Sequence, residues 1–213
     1  MHKVLTFSLE NQLRRNVDVV LGLDEVGVGA IAGPITAAAV ALREQPFPWY
    51  AELNDSKRLS VSKRRHLFAL LEQHAVVIGV GWALPVEVDR IGVMPATVMA
   101  FVRAVVRATN QLGSVVTGAV VDGAHLRRHL LPTVGLNSLF VNHADELSLS
   151  VAAASIIAKV SRDYVMGLYA HRHHGYGFER NVGYGVPMHL GALRRFGVTA
   201  IHRRSTEPVR RLL

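Results

Sequence analysis

Four carboxylates stand at or just past the ends of short apolar runs in this chain. Val17–Leu23 leads into Asp24 and Glu25, and Val115–Val121 leads into Asp122. Leu139–Asn142 comes shortly before Asp145. Runs this short, rich in β-branched residues, read as buried strands. Strand ends that carry acids constrain the fold, because separate strands can converge on one edge of a sheet and bring the acids together. Ile35–Leu42, after the Gly33-Pro34 turn, and Val76–Ala83, weakened by Gly79 and Gly81, supply two further strands.

Helical segments alternate with these runs. Ser60 caps a helix over Val61–His74, whose Leu67, Leu70 and Leu71 form an apolar stripe. Pro95 opens a helix that runs to Leu112. An Ala-rich helix extends from Ser148 to about His171, and a basic helix over Pro187–Phe196 stops at Gly197. The alternation predicts an α/β layered domain with a mixed sheet flanked by helices. Residues 1–170 are expected to form its core. Residues 171–213, rich in Gly, Tyr, His and Arg, are expected to form a helical and loop lobe of the same domain.

Composition narrows the chemistry. Lys and Arg number 24 against 16 Asp and Glu, a net charge of +8 with His neutral. A balance this basic points to a polyanion such as nucleic acid, or to an anionic membrane surface. The chain has no cysteine, which excludes disulfides and thiolate zinc sites. No apolar run reaches the ~18 residues of a membrane span. The first fifteen residues carry Lys3, Glu10, Arg14 and Arg15 and make a poor secretory signal. A cytoplasmic location is expected.

Carboxylates crowded at one sheet edge repel one another unless cations intervene. Hard oxygen donors suit Mg²⁺ or Mn²⁺. Two such ions roughly 3.5–4 Å apart can activate water and stabilise the leaving oxygen of a phosphodiester. Asp24, Glu25, Asp122 and Asp145 are the candidates. Asp122-Gly123 also reads as an ordinary turn. Glu146 is expected to be a solvated neighbour, and Asp163 a helix-face charge beside Arg162.

Several blocks in register resemble the ribonuclease HII (type 2 ribonuclease H) family. They are Gly22-Leu23-Asp24-Glu25-Val26-Gly27 with Ala32-Gly33-Pro34, Asn54-Asp55-Ser56-Lys57-Arg58-Leu59-Ser60, Val121-Asp122-Gly123, and Asp145 through Ser150–Asp163. Tyr176–Gly185 and Ile201-His202-Arg203-Arg204-Ser205 resemble the family's C-terminal signature. The resemblance implies an RNase H-like fold with the C-terminal lobe binding substrate. It implies endonucleolytic cutting of the RNA strand in RNA–DNA hybrids, and cutting beside single ribonucleotides in duplex DNA, with 3′-hydroxyl and 5′-phosphate ends. The family's metal-binding carboxylates fall on Asp24, Glu25, Asp122 and Asp145, with Mn²⁺ or Mg²⁺ as cofactor and two ions in the active complex. A monomer is expected. The alternatives are a hybrid-binding protein that has lost catalysis, and another two-metal nuclease of the same fold.

One position departs from the family pattern. Gly27-Val28-Gly29 stands where the family usually has Gly-Arg-Gly, a loop that contacts the ribose 2′-hydroxyl and a nearby phosphate. The glycine backbone still permits close approach to the sugar, but Val28 supplies no guanidinium. Weaker recognition of an isolated ribonucleotide is therefore expected. The related ribonuclease HIII family also lacks this Arg. However, it carries Glu where Asp145 stands, and an N-terminal domain for which the short segment ahead of Asp24 leaves no room.

Ser56 and Lys57 are candidates for a phosphate clamp in a turn that also caps the next helix. Ser155 and Lys159 lie one helical turn apart, and either face a phosphate or belong to a packing surface. The resemblance places Tyr184 against a deoxyribose next to the cut, a contact worth ~1–3 kcal/mol by analogy with stacking platforms. Tyr176 and Phe178 read as half-buried structural aromatics. The pairs Arg194-Arg195 and Arg210-Arg211, with His202-Arg203-Arg204, are expected to meet phosphates. His171, His173 and His174 are read as surface residues.

Overall fold

The computed structural model describes every residue except 1–4, 46 and 114–116, so Val115 and Val116 of the expected fourth strand lie outside the described residues. The chain runs α1 (Ser8–Leu13), β1 (Val19–Val26), β2 (Ile35–Ala41), α2 (Val61–His74), β3 (Val77–Ala83), α3 (Pro85–Ile91) and α4 (Val93–Leu112). It continues through β4 (Thr117–Asp122), α5 (Arg127–Val134), β5 (Asn137–Val141), α6 (Leu149–Arg172), α7 (Phe178–Asn181) and α8 (Pro187–Phe196). The strands form one mixed sheet in the order β3-β2-β1-β4-β5. β1, β2 and β3 pair antiparallel, while β4 runs parallel to both β1 and β5. Among the described residues no helix is long and apolar enough to cross a membrane.

Alternation along the strands sorts side chains into two layers. Leu21 and Leu23 of β1 and Ala37 and Ala39 of β2 pack with α4. Ala38 and Val40 face the opposite way, with α2 and the Ala-rich stretch of α6. Gly79 and Gly81 do more than weaken β3. A Cβ at Gly81 would lie 1.9 Å from the Ala100 carbonyl oxygen, and one at Gly79 would lie 2.1 Å from that of Ala104. The strand gives up side chains there so that α4 can lie directly on its backbone.

β1 is longer than expected. It continues through Asp24 and Glu25 because β2 pairs with it to the end, Asp24 against Ala38, Glu25 against Ala37 and Val26 against Thr36. The two acids are therefore strand residues on opposite faces. The helix expected from Pro95 begins two residues earlier, at Val93. Proline is tolerated there because first-turn N–H groups have no intrahelical acceptor. α3 begins at Pro85, with the Glu87 carboxylate accepting from the Leu84 N–H at 2.8 Å.

Beyond α6 the chain builds a small cluster of its own. Tyr176 and Phe178 are buried in it rather than half-buried, with rings stacked at 5.3 Å between centroids. Met166 of α6, with Ile31 and Ala32 from the β1–β2 connection, completes that cluster.

Gly22 sets the distance between β1 and α6, since a Cβ there would lie 2.1 Å from the Ser150 backbone carbon. Gly22→Ala should therefore lower unfolding free energy by at least about 1–3 kcal/mol, the range of overpacked cores. Urea denaturation of the two proteins measures this, and equal midpoints would remove the glycine's packing role.

Candidate active site

Asp24 and Asp122 arrive side by side from parallel strands. The register pairs Leu23 with Val121, so the next residues on β1 and β4 are these two acids, both on the α6 face. Asp145 lies in the short 3-10 turn Ala144–Glu146 that precedes α6. That turn is tied to β4 by the Ala144 N–H, which donates to Asp122 Oδ1 at 2.8 Å. Asp24 Oδ1 accepts from the Glu25 N–H at 2.8 Å. Asp24 and Asp145 are buried, and Glu25 and Asp122 are half-buried.

The electrostatics follow from this packing. Burial holds the Asp24 carboxyl well above its ordinary range, and the charges of Glu25 and then Asp122 add to the shift, against a hydrogen bond from Ser155. Burial and then Asp122 push Glu25 up to about 7. Burial, then Asp122, then Asp55 push Asp145 up to about 6. Asp122 contributes to all three shifts. For Lys57, burial opposes the charged form, but Asp55, Asp24, Asp145 and Asp122 outweigh it and raise the pKa.

Among the described residues no three Asp, Glu or His side chains stand in ready-made ligand geometry. The fit of a metal rests on the donor chemistry instead. These are hard carboxylate oxygens whose mutual repulsion a divalent cation would relieve.

The turn Asn54–Lys57 lies beside the acids. Asp55 Oδ1 accepts from the Lys57 N–H at 2.9 Å and so caps the 3-10 turn Ser56–Arg58. Ser56 Oγ and Ser155 Oγ are 2.8 Å apart, linking this turn to α6 and, through Ser155, to Asp24. Lys159, one turn further along, pairs with Asp163 at 2.8 Å. Asp163 therefore ion-pairs with Lys159, while its charge also favours the protonated form of Arg162. Glu146 accepts from Arg58 at 2.6 Å, so it is paired rather than merely solvated.

The Gly27-Val28-Gly29 loop follows β1. Gly27 has φ +87°, and a Cβ there would lie 2.2 Å from Arg162 Nε. Val28 leans on the α4 side of the core, while a Cβ at Gly29 would meet open space. Tyr184 is half-buried, with the Arg162 guanidinium 5.5 Å from its ring centroid.

Two arginines beneath the loop are structural. Arg162 and Arg203 are both fully buried. Arg203 donates to the carbonyls of Gly33, Val28 and Gly27 at 3.0, 2.8 and 2.7 Å, and Arg162 donates to those of Pro34 and Ala32 at 2.8 and 3.2 Å. His202 is buried too, so the expectation that His202-Arg203 meets phosphate is corrected. Both face inward because this segment pairs with residues 31–33. Arg210 and Arg211 pair with Glu207. Helical spacing carries a signal for Arg162, which shares a stripe with Ser155, Ala158 and Met166. A tail written as His-Arg-Arg carries none for Arg203. A separate cavity of about 480 Å³ between α2 and α6, lined in part by Arg64, Tyr164 and Leu168, does not include the carboxylates.

The sequence pattern of the Ribonuclease HII family matches residues 21–208. The Ribonuclease HII of Rhodospirillum rubrum is 46% identical over 91% of this chain and 86% of its own length. That of Gluconobacter oxydans is 41% identical over 92% and 91%. Ribonuclease H2 from Pyrococcus horikoshii superposes with TM-score 0.73 at 25% identity, covering 92% of this chain and 97% of that one. Bst-RNase HIII in complex with Mn²⁺ shares the fold with TM-score 0.70 at 18% identity, over 91% of this chain and 68% of that one.

Glu25 and Asp145 bind protons more tightly in the folded protein than at their ordinary values of 4.5 and 3.8. Their contribution to stability is thus complete at low pH and is lost as pH rises towards about 6 and 7. Without divalent ions, Tm should fall between pH 5 and pH 8. Asp122→Asn removes the shared neighbour and should raise the metal-free Tm at pH 8 by about 2–4 °C. Thermal melts in chelator test both statements, and a variant melting below the parent would contradict the repulsion.

Proposed function

Because this chain belongs to the ribonuclease HII family, and is thus a ribonuclease H endoribonuclease, we propose that Asp24, Glu25, Asp122 and Asp145 form the centre that cuts the RNA strand of RNA–DNA hybrids. What supports the reading is the gathering of these acids around Asp122, with three of them displaced upward in pKa. They would hold Mn²⁺ or Mg²⁺, two ions in the active complex, supplying a lowered pKa for water and positive charge against the departing oxygen.

Water attacks phosphorus, and the bond to the 3′ oxygen breaks. The products are a 3′-hydroxyl and a 5′-phosphate. Lys57 and the Ser56 turn hold the phosphate beside the acids, and Ser155 orients Asp24 and Ser56 together. Lys159 contributes charge on the same helix, already shared with Asp163. The Gly27-Val28-Gly29 backbone meets the ribose, and Tyr184 stacks on the neighbouring deoxyribose. Residues 1–170 serve as the catalytic core and 171–213 as the lobe on which the duplex lies. The enzyme works as a cytoplasmic monomer, on hybrids and on duplex DNA containing ribonucleotides.

Asp122→Asn should lower hybrid cleavage by more than about 100-fold, beyond the loss typical of outer-shell metal partners. Gel analysis of end-labelled hybrid with Mn²⁺ or Mg²⁺ reads it out. Binding without cleavage by the parent protein would favour a hybrid-binding role instead. Val28→Arg restores a bidentate donor. It should raise cleavage at a single embedded ribonucleotide relative to hybrid by about tenfold, the equivalent of ~1.4 kcal/mol. An unchanged ratio would show that residue 28 does not govern this preference.

A further inference from the structure

The segment Thr199–Arg203 reaches both substrate-facing features from beneath. It runs antiparallel to the β1–β2 connection, with Ala32 bridged to His202, the Gly33 N–H on the Ile201 carbonyl at 2.8 Å and the Arg203 N–H on the Ile31 carbonyl at 2.9 Å. From this strap the Arg203 guanidinium grips the carbonyls of Gly27 and Val28. The C=O and N–H of one trans peptide point in opposite directions. The N–H groups of Val28 and Gly29 therefore face away from the guanidinium, which leaves them for a ligand on the far side.

The other half of the strap reaches Tyr184. His202 Nδ1 accepts from the Thr199 N–H at 3.0 Å and lies 2.8 Å from Thr199 Oγ1. An imidazole whose Nδ1 accepts carries its proton on Nε2 when neutral. That Nε2–H donates to His189 Nε2 at 3.0 Å. His189 must then carry its proton on Nδ1, which donates to the Tyr184 carbonyl at 2.9 Å. Every ring nitrogen has one assigned role along a chain from Thr199 to Tyr184. Both rings are buried, as is Arg203, so none of the three can touch substrate.

We propose that His202, with His189, and Arg203 are positioning residues that fix Tyr184 relative to the Gly27-Val28-Gly29 backbone, and that this spacing selects a ribonucleotide–deoxyribonucleotide junction over uniform hybrid. The proposal rests on the reading above that the loop meets the ribose and Tyr184 the deoxyribose. A junction demands both contacts at a set separation. In a uniform hybrid, every position in the RNA strand offers a ribose, so an error in that spacing costs less.

The test compares kcat and KM on DNA duplex with one ribonucleotide and on RNA–DNA hybrid, with Mn²⁺ present. His202→Phe keeps a ring of similar size and removes the hydrogen-bond chain. It should lower the junction-to-hybrid ratio of kcat/KM at least tenfold. His202→Gln, whose amide N–H can still donate to His189, should recover most of that ratio, although a role in packing alone would favour Phe over Gln. Arg203→Lys, offering a compact ammonium in place of a planar fork that reaches three carbonyls, should shift the ratio in the same direction as His202→Phe. If His202→Phe does not fold, Thr199→Ala at its half-buried position carries the test, with a fall of twofold or more expected. An unchanged ratio in the folded variants overturns the proposal. Tyr184→Ala separates the two levels. If it alters the ratio and His202→Phe does not, the positioning role fails by itself. If Tyr184→Ala leaves the ratio unchanged, the stacking reading fails and takes the positioning role with it.

Discussion

The approach of α6 to β1 is the contact on which the rest of the molecule depends. Gly22 offers no side chain, and α6 lies against the strand backbone at Ser150. From that point one helix sends side chains to several separate parts of the molecule. Ser155 stands beside Asp24 and Ser56, Arg162 runs under the glycine loop, and Met166 enters the core of the C-terminal lobe. A helix of 24 residues spans about 36 Å at 1.5 Å per residue, so a small tilt at its start moves its far end appreciably. Its N-terminus is correspondingly well held. The buried Glu10 carboxylate accepts from Ser148 Oγ, Ser150 Oγ and the Ser150 N–H, and Ser148 caps the first turn. A negative charge there is favoured by the helix dipole.

Charge is distributed unevenly around this axis. On one side Asp122 and its neighbouring acids raise the pKa of Glu25 and Asp145, and Lys57 is a cation that opposes the rise at both. One lysine does not balance that many carboxylates, which is why a divalent cation suits the site better than another side chain. On the other side lie two buried guanidiniums held by backbone carbonyls rather than by carboxylates. Desolvation lowers the pKa of both, with Arg203 falling to about 10, still far above neutrality. They remain charged, and the loop carbonyls turn inward to solvate them.

The sheet was legible because its strands are short, β-branched and bounded by Gly or acid. The long helices were legible because Ser60 and Ser148 are capping residues and Gly197 is a stop. The four acids stand out in the sequence because each lies at or shortly after the end of an apolar run. The extension of β1 through Asp24 and Glu25 could not be read in advance, because pairing with β2 overrides the polarity of the residues. The inward turn of Arg203 was hidden for a related reason. Burying a guanidinium is normally costly, and what offsets the cost here is a set of carbonyls supplied by a loop some 170 residues away in sequence. No local pattern encodes that.

The same geometry separates two roles that a Gly-Arg-Gly loop would combine. With Val at position 28, the side chain leans on the core and offers no charge outward. The loop is nevertheless held from below through its backbone, because Arg203 donates to the carbonyls of Gly27 and Val28 and not to a side chain. The strap behind the loop determines where the peptide groups face, and residue 28 determines only whether a guanidinium accompanies them. Replacing the side chain at position 28 therefore changes the charge the loop can present without removing the Arg203 hydrogen bonds, which go to backbone carbonyls.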